Sequence, residues 1–436
     1  MSKFQPVRGM RDFLAEEAKT MRHIEQTARE IAGLYGYEEV ITPVVESYEL
    51  LAAKAGEEMR HRMYAFEDLG GRKVALRAEF TPSVARLVAT ILKRASKPLR
   101  LFCTGSLYRY DEPQYGRFRE FWQGNYELIG STKPEADAEI LALSYDLKEK
   151  LGLHNCYFKI GHVGILRGIL NQENIAEEQQ NRIMQLLDKK QWDDALTALQ
   201  ELNAPQKCIK TMKSVFETRG KDVSKVLKRA KELLKDYKDA VAAIDNLREI
   251  IDLAQDGGAK IELLAEMGFA RGLEYYTGMI FEPYVPDFEI ALGGGGRYNK
   301  LVELFGGEPT PAVGVAHGID RLSLVMEIQK ISILTSEKKR VIVIPIGEKL
   351  RVKALELSRI LRKGGIHVEV EVMGHTVSKA LQNASKRGFT NAVIVGLEEL
   401  QEDKVVLRDM KKREQKTVEI KHLSEEILGA QSNNNC

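Results

Sequence analysis

Hydrophobic residues near the start of the chain recur with the period of an α-helix. Within residues 15–35 they stand three or four positions apart, at Met21, Ile24, Ala28, Ile31 and Leu34. This spacing places them on one face of a helix that ends near Gly36. The following EEVITPVV is rich in β-branched residues and predicts a strand.

A second pattern, alternation of polar and apolar residues, predicts a hairpin over residues 98–130. Two strand-like runs flank the turn-forming DEPQYG, which we interpret as a six-residue loop. In RFREFWQGNYELIG, alternation places one set of side chains on a polar face: Arg117, Arg119, Phe121, Gln123, Asn125 and Glu127. The opposite face is mostly apolar, with Phe118, Trp122, Tyr126 and Leu128.

The polar face suits a ligand that combines phosphate, a flat base and an amine, since it offers cations, a ring, an amide and a carboxylate. Arg109 adds a third guanidinium just before the turn, and converging cations favour an anion between them. The alternative is a half-exposed strand whose polar face is only solvated.

The rest of the chain divides by pattern into three further parts. Residues 166–255 have helical periodicity and dense charge, which predicts an inserted helical module. Strand and glycine signals return at 261–315 and end in the helix start GIDRLSLVMEI. After the polar ISILTSEKKR, strands and helices alternate, which predicts a small α/β domain over residues 338–425, followed by a disordered tail at 426–436.

Composition narrows the class of protein but leaves its partner open. The chain has 436 residues, 44% hydrophobic and 29% charged, with a net charge of +2. Cys103, Cys156, Cys208 and Cys436 lie far apart without CxxC spacing, so we expect neither a disulfide framework nor a thiolate zinc site. We expect a cytoplasmic protein without membrane attachment, because no signal-like or membrane-spanning apolar run occurs.

Several common phosphate and metal motifs are missing from the sequence. No GxxxxGK[ST] or helix-opening GxGxxG occurs, so side chains must hold any nucleotide. HExxH is also absent, and we expect no protein-ligated metal, although Mg²⁺ can accompany ATP through its phosphates. The four glycines at 293–296 indicate either a tight bend or sheet crossing, or a close backbone approach to a ligand.

The stretch ARGLEYYTG at 270–278 places one arginine beside two tyrosines. By itself it is equally typical of a strand edge with a snorkelling cation. Together with RGMRDF (8–13), LRAEFT (76–81), the hairpin, GGRYNKLVELFGG (295–307) and AVGVAHGIDRL (312–322), it resembles in order and spacing the histidyl-tRNA synthetases. These are class II aminoacyl-tRNA synthetases, and the resemblance covers nearly the whole chain.

The resemblance implies a fold and a set of domains. It implies an α+β catalytic domain with an antiparallel sheet in residues 1–165 and 256–330, interrupted by the helical insertion at 166–255. The α/β unit at 338–425 resembles an anticodon-binding domain. A homodimer formed through the segment around Pro43 is also expected from the family.

The resemblance also assigns residues to the ATP site and the catalytic step. Arg109 matches the arginine on the α-phosphate, Asp111 the residue that holds the adenine amine, and Phe121 the ring that stacks on adenine. Arg117 and Arg321 match arginines on the outer phosphates. Arg271 matches the catalytic arginine that lies against the α-phosphate and the substrate carboxylate.

For histidine, the resemblance implies a pocket of carboxylates, an amide and hydroxyls that is complementary to an α-ammonium and an imidazole. Its residues are Glu79, Phe80, Thr81, Arg109, Gln123, Glu127, Arg271, Tyr275 and Tyr276. Three positions depart from common family residues, namely Ala78, Asn299 and Asp320, and Asp111 is shorter than the glutamate of bacterial members.

The expected partners are L-histidine, ATP with Mg²⁺, and tRNA(His), without an organic cofactor. Gln114 and Arg119 are candidates for contacts with the tRNA acceptor end, and the insertion is placed where family members embrace the acceptor stem. Basic residues of the C-terminal domain could contact phosphates or form a solvated face: Lys379, Lys386, Arg387, Lys404, Arg408, Lys411, Lys412 and Arg413.

Two other functions compete with the enzyme. A non-catalytic paralogue that regulates histidine biosynthesis would typically lack the anticodon domain and vary at the catalytic arginine. An RNA-binding protein on a degenerate synthetase fold would not need Arg109, Phe121, Arg271 and Arg321. The retained residues favour the enzyme over both.

Overall fold

A computed structural model describes residues 4–333 and 339–429, which belong to two compact units. The predicted linker falls partly at 334–338, and most of the predicted tail falls at 430–436; both segments lie outside the described residues. No helix in the described ranges combines the length and the apolar character that a membrane crossing requires.

The first unit contains helices on both sides of a large sheet. They are α1 (Ala15–Leu34), α2 (Tyr48–Ala52), α3 (Gly56–His61), α4 (Thr81–Ala89), α5 (Pro134–Lys150), α6 (Val163–Gln172), α7 (Glu177–Asp188), α8 (Trp192–Glu201), α9 (Gln206–Glu217), α10 (Val223–Leu233), α11 (Lys238–Asp256), α12 (Leu301–Leu304) and α13 (Ile319–Ile328).

The strands of the first unit are mostly short, apart from one long hairpin. They are β1 (Glu38–Glu39), β2 (Val45–Ser47), β3 (Ala65–Glu67), β4 (Lys73–Leu76), β5 (Leu99–Tyr108), β6 (Glu120–Ile129), β7 (Tyr157–His162), β8 (Arg219–Gly220), β9 (Glu262–Glu266), β10 (Met279–Tyr284), β11 (Gly293–Arg297) and β12 (Ala312–Gly318).

Within residues 4–333, nine of these strands form one sheet in the order β1-β5-β6-β12-β11-β10-β7-β9-β8. The central pairs from β5 to β7 are antiparallel, while β1 with β5 and β7 with β9 are parallel. The strands β2, β4 and β3 form a separate small sheet, with β4 in the middle. The predicted antiparallel sheet is confirmed, with these two parallel pairs added.

The helix predicted at 15–35 is present as α1, and Ile24, Ala28 and Ile31 are buried as their spacing indicates. Leu34, the last member of the stripe, is 76% exposed, because the helix ends there. The continuous strand predicted for EEVITPVV is wrong: β1 and β2 are separate. Between them, Pro43 has no N–H to donate, and the Thr42 carbonyl accepts a hydrogen bond from Arg77 Nη1 at 2.7 Å.

The predicted helical segment 166–255 contains helices α6 to α11. Its helices do not form a compact unit of their own, since Leu170, Met212 and Leu247 belong to the same buried core as Phe158 and Phe281 of the sheet. Helical periodicity identified these elements correctly. It does not tell whether their apolar faces pack on each other or on a neighbouring sheet.

The second unit is a five-stranded sheet with helices on both faces. Its elements are β13 (Arg340–Pro345), a 3₁₀ turn (Glu348–Leu350), α14 (Arg351–Lys363), β14 (His367–Val370), α15 (Val377–Lys386), β15 (Asn391–Val395), α16 (Leu397–Gln401), β16 (Lys404–Asp409), β17 (Gln415–Glu419), a 3₁₀ turn (Ile420–His422) and α17 (Leu423–Leu428).

The sheet of the second unit has the strand order β14-β13-β15-β16-β17, with the first three strands parallel. Val341 and Val343 face one apolar cluster and Ile342 and Ile344 face another, which explains the unbroken apolar run of β13. The disordered tail predicted from 426 begins too early, because Ile427 in α17 is buried in the first of these clusters.

Candidate active site

A cavity of about 590 Å³ opens on the face of the large sheet, at β6, β11 and β12. Its walls come from the loop 109–119, the start of α4 and the segment 268–276, which are far apart in sequence. Twelve residues that the sequence predicted line this cavity: Glu79, Thr81, Arg109, Asp111, Arg117, Phe121, Gln123, Glu127, Arg271, Tyr275, Tyr276 and Arg321.

The hairpin loop that borders the cavity is longer than predicted. It runs from Arg109 to Arg119, and a short bridge between Gln114 and Arg117 folds it back on itself. The predicted six residues DEPQYG are therefore only its middle. Strand alternation starts at Glu120, so it does not govern Arg117 and Arg119 as the sequence pattern suggested.

Arg119 does not reach the cavity with Arg109 and Arg117. It is only 6% exposed, its Nε–H donates to the Asp111 carbonyl at 3.0 Å, and its guanidinium lies 3.8 Å from the centre of the Tyr110 ring. The side chain of Arg119 therefore has its partners within the loop, and its contact with an acceptor end stays a prediction. Gln114 is exposed on the same loop and remains a candidate.

Phe80 is likewise not part of the cavity lining. It is 1% exposed and belongs to the core under the sheet, where Arg77 lies 4.5 Å from its ring centre. Glu79 and Thr81 on either side of it line the cavity, whereas Phe80 does not, and its predicted role in histidine binding stays untested. Phe80 supports these two residues by packing.

The glycine run of β11 provides room for side chains at the centre of the sheet. A Cβ on Gly294 would lie 1.5 Å from Arg271 Nη1, and a Cβ on Gly296 would lie 3.0 Å from the Tyr276 ring. Neither a tight bend nor a sheet crossing is present, because 293–296 pair regularly with β12. Gly294 thus makes room for Arg271, whereas a Cβ on Gly296 would first meet the Met279 carbonyl of the neighbouring strand at 2.5 Å.

Arg271 is held at the cavity by acceptors on β10. Its Nη1 lies 3.5 Å from the Phe281 carbonyl and 3.6 Å from Glu282 Oε1, and its guanidinium is 5.6 Å from the Tyr276 ring centre. The side chain is 19% exposed. These contacts are long for hydrogen bonds and ion pairs, so much of the donor capacity of Arg271 is available to a ligand.

Two further arginines share the cavity and repel each other. Arg109 donates from Nε to the Ala78 carbonyl at 2.9 Å, and Arg321 donates to the Gly116 and Ala291 carbonyls at 3.2 and 2.7 Å. Burial, with Arg109 and Arg117 nearby, lowers the pKa of Arg321 to about 10. An anionic ligand between these groups would relieve the repulsion and stabilise the charged form.

The opposite wall of the cavity is acidic and hydroxylated. Tyr275 donates its hydroxyl to Glu79 Oε2 at 2.9 Å, and Glu79 is 8% exposed. Burial raises the pKa of Glu79, against the attraction of Arg109 and the hydrogen bond from Tyr275. A ligand ammonium at this carboxylate would offset the cost of keeping it charged.

Glu127 is the most deeply buried carboxylate of the site. It accepts hydrogen bonds from Thr81 Oγ1 at 2.7 Å, from Asn125 Nδ2 at 2.9 Å and from the Tyr298 hydroxyl. Burial raises its pKa to about 7 in spite of these donors. A Cβ on Gly314 would lie 1.8 Å from Glu127 Oε2, so this glycine is required for its position.

Tyr298 and Asn125 are site residues to which the sequence analysis gave no role. Asn125 was placed on the polar face, but its partner was not apparent. Tyr298 lies in the GGRYN segment, directly after Arg297. The arginine is the feature of the sequence that could have indicated a fixed position for this tyrosine. Arg297 makes a buried ion pair with Asp137, and its Nη1 donates to the Ser131 carbonyl at 2.8 Å, which anchors Tyr298 beside Glu127.

Asp320, one of the three departures, has a structural role. Its carboxylate accepts from the Trp122 N–H at 2.6 Å and pairs with Arg11, and it is 4% exposed. It therefore joins the start of α13, which carries Arg321, to β6 and to the N-terminal RGMRDF segment. An aspartate is sufficient for this function.

A larger cavity of about 910 Å³ lies on the other side of Tyr275 and Tyr276. Its lining mixes charges of both signs, including Lys54, Glu177 and Lys300, and lacks the arginine cluster. We therefore assign the active site to the smaller cavity, where the cationic and the acidic wall face each other. In the described residues, no group of three or more His, Cys, Asp or Glu is arranged to hold a metal ion.

The basic residues predicted in the C-terminal unit are mostly at its surface. Lys379, Lys386, Lys411, Lys412 and Arg413 are exposed. Arg387 pairs with Glu369 at 2.6 Å and Lys404 with Glu402 at 2.7 Å, so these two have carboxylate partners already. Arg408 donates to Gln415 at 3.2 Å.

A mostly antiparallel sheet with arginines on its hairpin loop and on the helix after its last strand, all lining one cavity, is the architecture of a class II aminoacyl-tRNA synthetase catalytic unit. Comparison with known proteins makes the assignment specific. The family model described as histidyl-tRNA synthetase matches residues 9–322, and the model described as anticodon binding domain matches residues 340–429.

Relatives extend over nearly the full chain. The histidine--tRNA ligase of Methanocaldococcus jannaschii is 44% identical over 97% of this chain and 99% of its own length. That of Sulfolobus acidocaldarius is 39% identical over 98% and 99%. The crystal structure of apo histidyl-tRNA synthetase from S. aureus superposes with a TM-score of 0.74 at 25% identity, covering 97% of this chain and 99% of that chain. The chain belongs to the histidyl-tRNA synthetase family.

One solved structure bears on the competing regulatory function. A protein from Bacillus halodurans, described as an ATP phosphoribosyltransferase regulatory subunit/histidyl-tRNA synthetase, has a TM-score of 0.75 at 27% identity and covers 88% of this chain. The fold is thus similar to that of a protein described both as a regulatory subunit and as a synthetase. The fold therefore does not separate the two functions, which must be distinguished by the residues of the cavity and by the second unit.

Proposed function

We propose that this chain ligates L-histidine to its cognate tRNA at the expense of ATP, through a histidyl-adenylate. The observation that carries the proposal is the pairing of two walls in one cavity. Arg109, Arg271 and Arg321 offer cations for phosphates, and Glu79 and Glu127 offer carboxylates for the nitrogens of histidine. The family to which the chain belongs supports the same reaction.

In the first step, the histidine carboxylate attacks the α-phosphorus of ATP in line, and pyrophosphate leaves. Arg109 and Arg271 neutralise charge that develops on the α-phosphate, and Arg117 and Arg321 hold the outer phosphates. Phe121 stacks on adenine, and its ring centre lies 5.2 Å from the Arg109 guanidinium. Asp111 accepts from the adenine amine. Such a step needs mainly positioning and charge stabilisation from the protein.

The histidine pocket divides between the two ends of the amino acid. Glu79, Gln123 and Thr81 surround the α-ammonium. At the imidazole, Glu127 accepts a hydrogen bond, and a hydroxyl of Tyr275 or Tyr276 forms a second one. Because these polar groups are buried, an apolar side chain would leave them without partners. This arrangement rejects apolar amino acids by large factors without an editing site.

Mg²⁺ enters as part of the ATP substrate, ligated chiefly by phosphates, because such an ion needs few protein carboxylates. No organic cofactor is required for the proposed chemistry. In the second step, a hydroxyl of the terminal ribose of the tRNA attacks the acyl carbon of the histidyl-adenylate; the ester bond forms, the acyl–phosphate bond breaks, and AMP leaves. Gln114 is placed on an exposed loop at the cavity, where an acceptor end could contact it.

The remaining tRNA contacts and the domain limits follow from the family. We propose that residues 338–425 bind the anticodon stem, that 1–165 with 256–330 form the catalytic domain, and that 166–255 contact the acceptor stem. The proposed compartment is the cytoplasm.

Exposed apolar side chains in the first unit, including Ile41 at 93% and Ile91 at 76%, support a homodimer, which sedimentation analysis can test.

The regulatory alternative is disfavoured by two observations. Arg271 is present in the cavity, and residues 340–429 match an anticodon-binding domain, which a regulator of an enzyme would not need. The decisive experiment is charging of tRNA(His) with labelled histidine by the purified protein in the presence of ATP and Mg²⁺. We expect histidyl-tRNA to form; active exchange of pyrophosphate without charging would restrict the proposal to adenylation.

A further inference from the structure

Helix α7 presents three polar side chains to the active-site segment 271–274. Asn181, Gln185 and Asp188 are spaced by four and three residues, so they form one stripe on the helix. The helix belongs to the segment predicted as an insertion, but Gln185 and Asp188 line the catalytic cavity. The stripe therefore connects the helical segment directly to the site.

Two members of the stripe hold one carboxylate of the segment. Asn181 Nδ2 donates to Glu274 Oε2 at 3.3 Å, and Gln185 Nε2 donates to Glu274 Oε1 at 3.0 Å. Glu274 immediately precedes Tyr275. Both oxygens of its carboxylate are thereby fixed to α7, which sets the position of the backbone that leads into the tyrosine pair.

The third member, Asp188, approaches the backbone beside Arg271. A Cβ on Gly272 would lie 2.8 Å from Asp188 Oδ2, so a side chain at this position would displace the carboxylate. Burial raises the pKa of Asp188, while Arg271 and the Gly272 amide favour its charged form. The glycine of the RGLEYYTG segment is explained by this contact, since its own backbone is not in the left-handed region.

The segment needs such support because its backbone makes few hydrogen bonds. Within the described ranges, the amides of residues 271–276 make one backbone hydrogen bond, from Glu274 to the Lys54 carbonyl at 3.3 Å. Two ion pairs also join the ends of α7 to the region around α3. Lys189, the residue after α7, pairs with Glu58 at 2.7 Å, and Glu177 pairs with Lys54 at 2.9 Å. These pairs are half exposed, so they contribute little, and the stripe is the stronger restraint.

We propose that Asp188, together with Asn181 and Gln185, is a positioning residue for adenylation, which holds the segment 271–276 so that Arg271 faces the α-phosphate. The inference rests on the proposed function of Arg271. Asp188 acts through the contact of its carboxylate with the backbone at Gly272, the residue that follows Arg271. The stripe of Asn181, Gln185 and Asp188 on α7 therefore supports the active-site segment.

The test is histidine-dependent pyrophosphate exchange by Asp188→Ala and Asp188→Asn, with Glu178→Ala as the control. Glu178 is exposed on the same helix. We expect Asp188→Ala to lower kcat by roughly tenfold to a hundredfold, the usual effect of a small misplacement, with KM for histidine and ATP little changed. Asn keeps an acceptor oxygen and should recover most of kcat, and Glu178→Ala should match the parent.

Three results would overturn the inference. These are a parental kcat for Asp188→Ala, an equal loss in both Asp188 variants, and a loss that follows a lowered melting temperature in Asp188→Ala and Asp188→Asn alike. Absence of exchange in the parent protein would instead contradict the proposed function itself. The two failures are thus distinguishable in one set of measurements.

Discussion

At the scale of single residues, the site depends on buried charges that only a ligand can fully satisfy. Twelve residues named from the sequence resemblance line one cavity, because they stand in motifs of fixed spacing. Arg119 and Phe80 do not line it, since strand alternation does not apply in the loop and the chain turns at the start of α4. Tyr298 was missed because its partner Glu127 is 171 positions away in sequence.

Tyr298 provides a prediction on pH dependence. Its hydroxyl stabilises charged Glu127, whose pKa is about 7. The profile of kcat/KM for histidine reports the free enzyme, so we expect it to fall as the pH drops through this value. Tyr298→Phe should move the midpoint upward by about one pH unit, because a hydrogen bond to a carboxylate is lost. Titration of the substrate imidazole is common to both proteins. Superimposable profiles would show that Tyr298 does not tune Glu127.

At the scale of elements, the least predictable feature was strand β11. Four consecutive glycines favour a bend on local grounds, yet here they form a regular central strand. The reason is not local: Arg271 comes from another segment and occupies the space beside Gly294, and carbonyls of the neighbouring strands lie close to the other three glycines. The hairpin was predictable in its strands, whereas its loop was underestimated because Gln114 and Arg117 pair within it.

Gly294→Ala tests the role of β11. The added Cβ would meet Arg271 Nη1 at 1.5 Å, so the guanidinium must leave its position in the cavity. We expect the exchange rate to fall by at least about a hundredfold. Gly33→Ala is a suitable control, since a Cβ there meets nothing within 4 Å. Near-parental activity of Gly294→Ala would contradict the placement of Arg271.

At the scale of the whole molecule, the sequence predicted the mixture of sheet, helices and a C-terminal α/β unit. It could not show that α6 to α11 share one core with the large sheet, because an apolar stripe on a helix does not indicate which element it packs against. This core also buries two histidines, His162 at 7% and His317 at 3% exposure. The Nε2 atom of His317 has no hydrogen-bond partner within the described residues.

Stability should therefore fall in acid. Burial lowers the pKa of His317 to about 4, below the usual value of 6.5. A base with a lowered pKa in the folded state contributes stability that is present above the unfolded pKa and is lost as pH falls from about 6.5 towards 4. His317→Gln should flatten the pH dependence of the free energy of unfolding in this window, whereas exposed His422→Gln should not. An unchanged slope in His317→Gln would contradict a neutral buried imidazole.

The proposed function requires that one cavity bind both ATP and histidine. Histidine-dependent exchange of labelled pyrophosphate into ATP measures this directly, in the parent protein and in Arg271→Ala. We predict rapid exchange with histidine and none with apolar amino acids. In Arg271→Ala we predict a far larger loss of rate than of histidine binding, because the contact strengthens in the transition state. No exchange in the parent protein, or identical exchange in Arg271→Ala, would contradict the account.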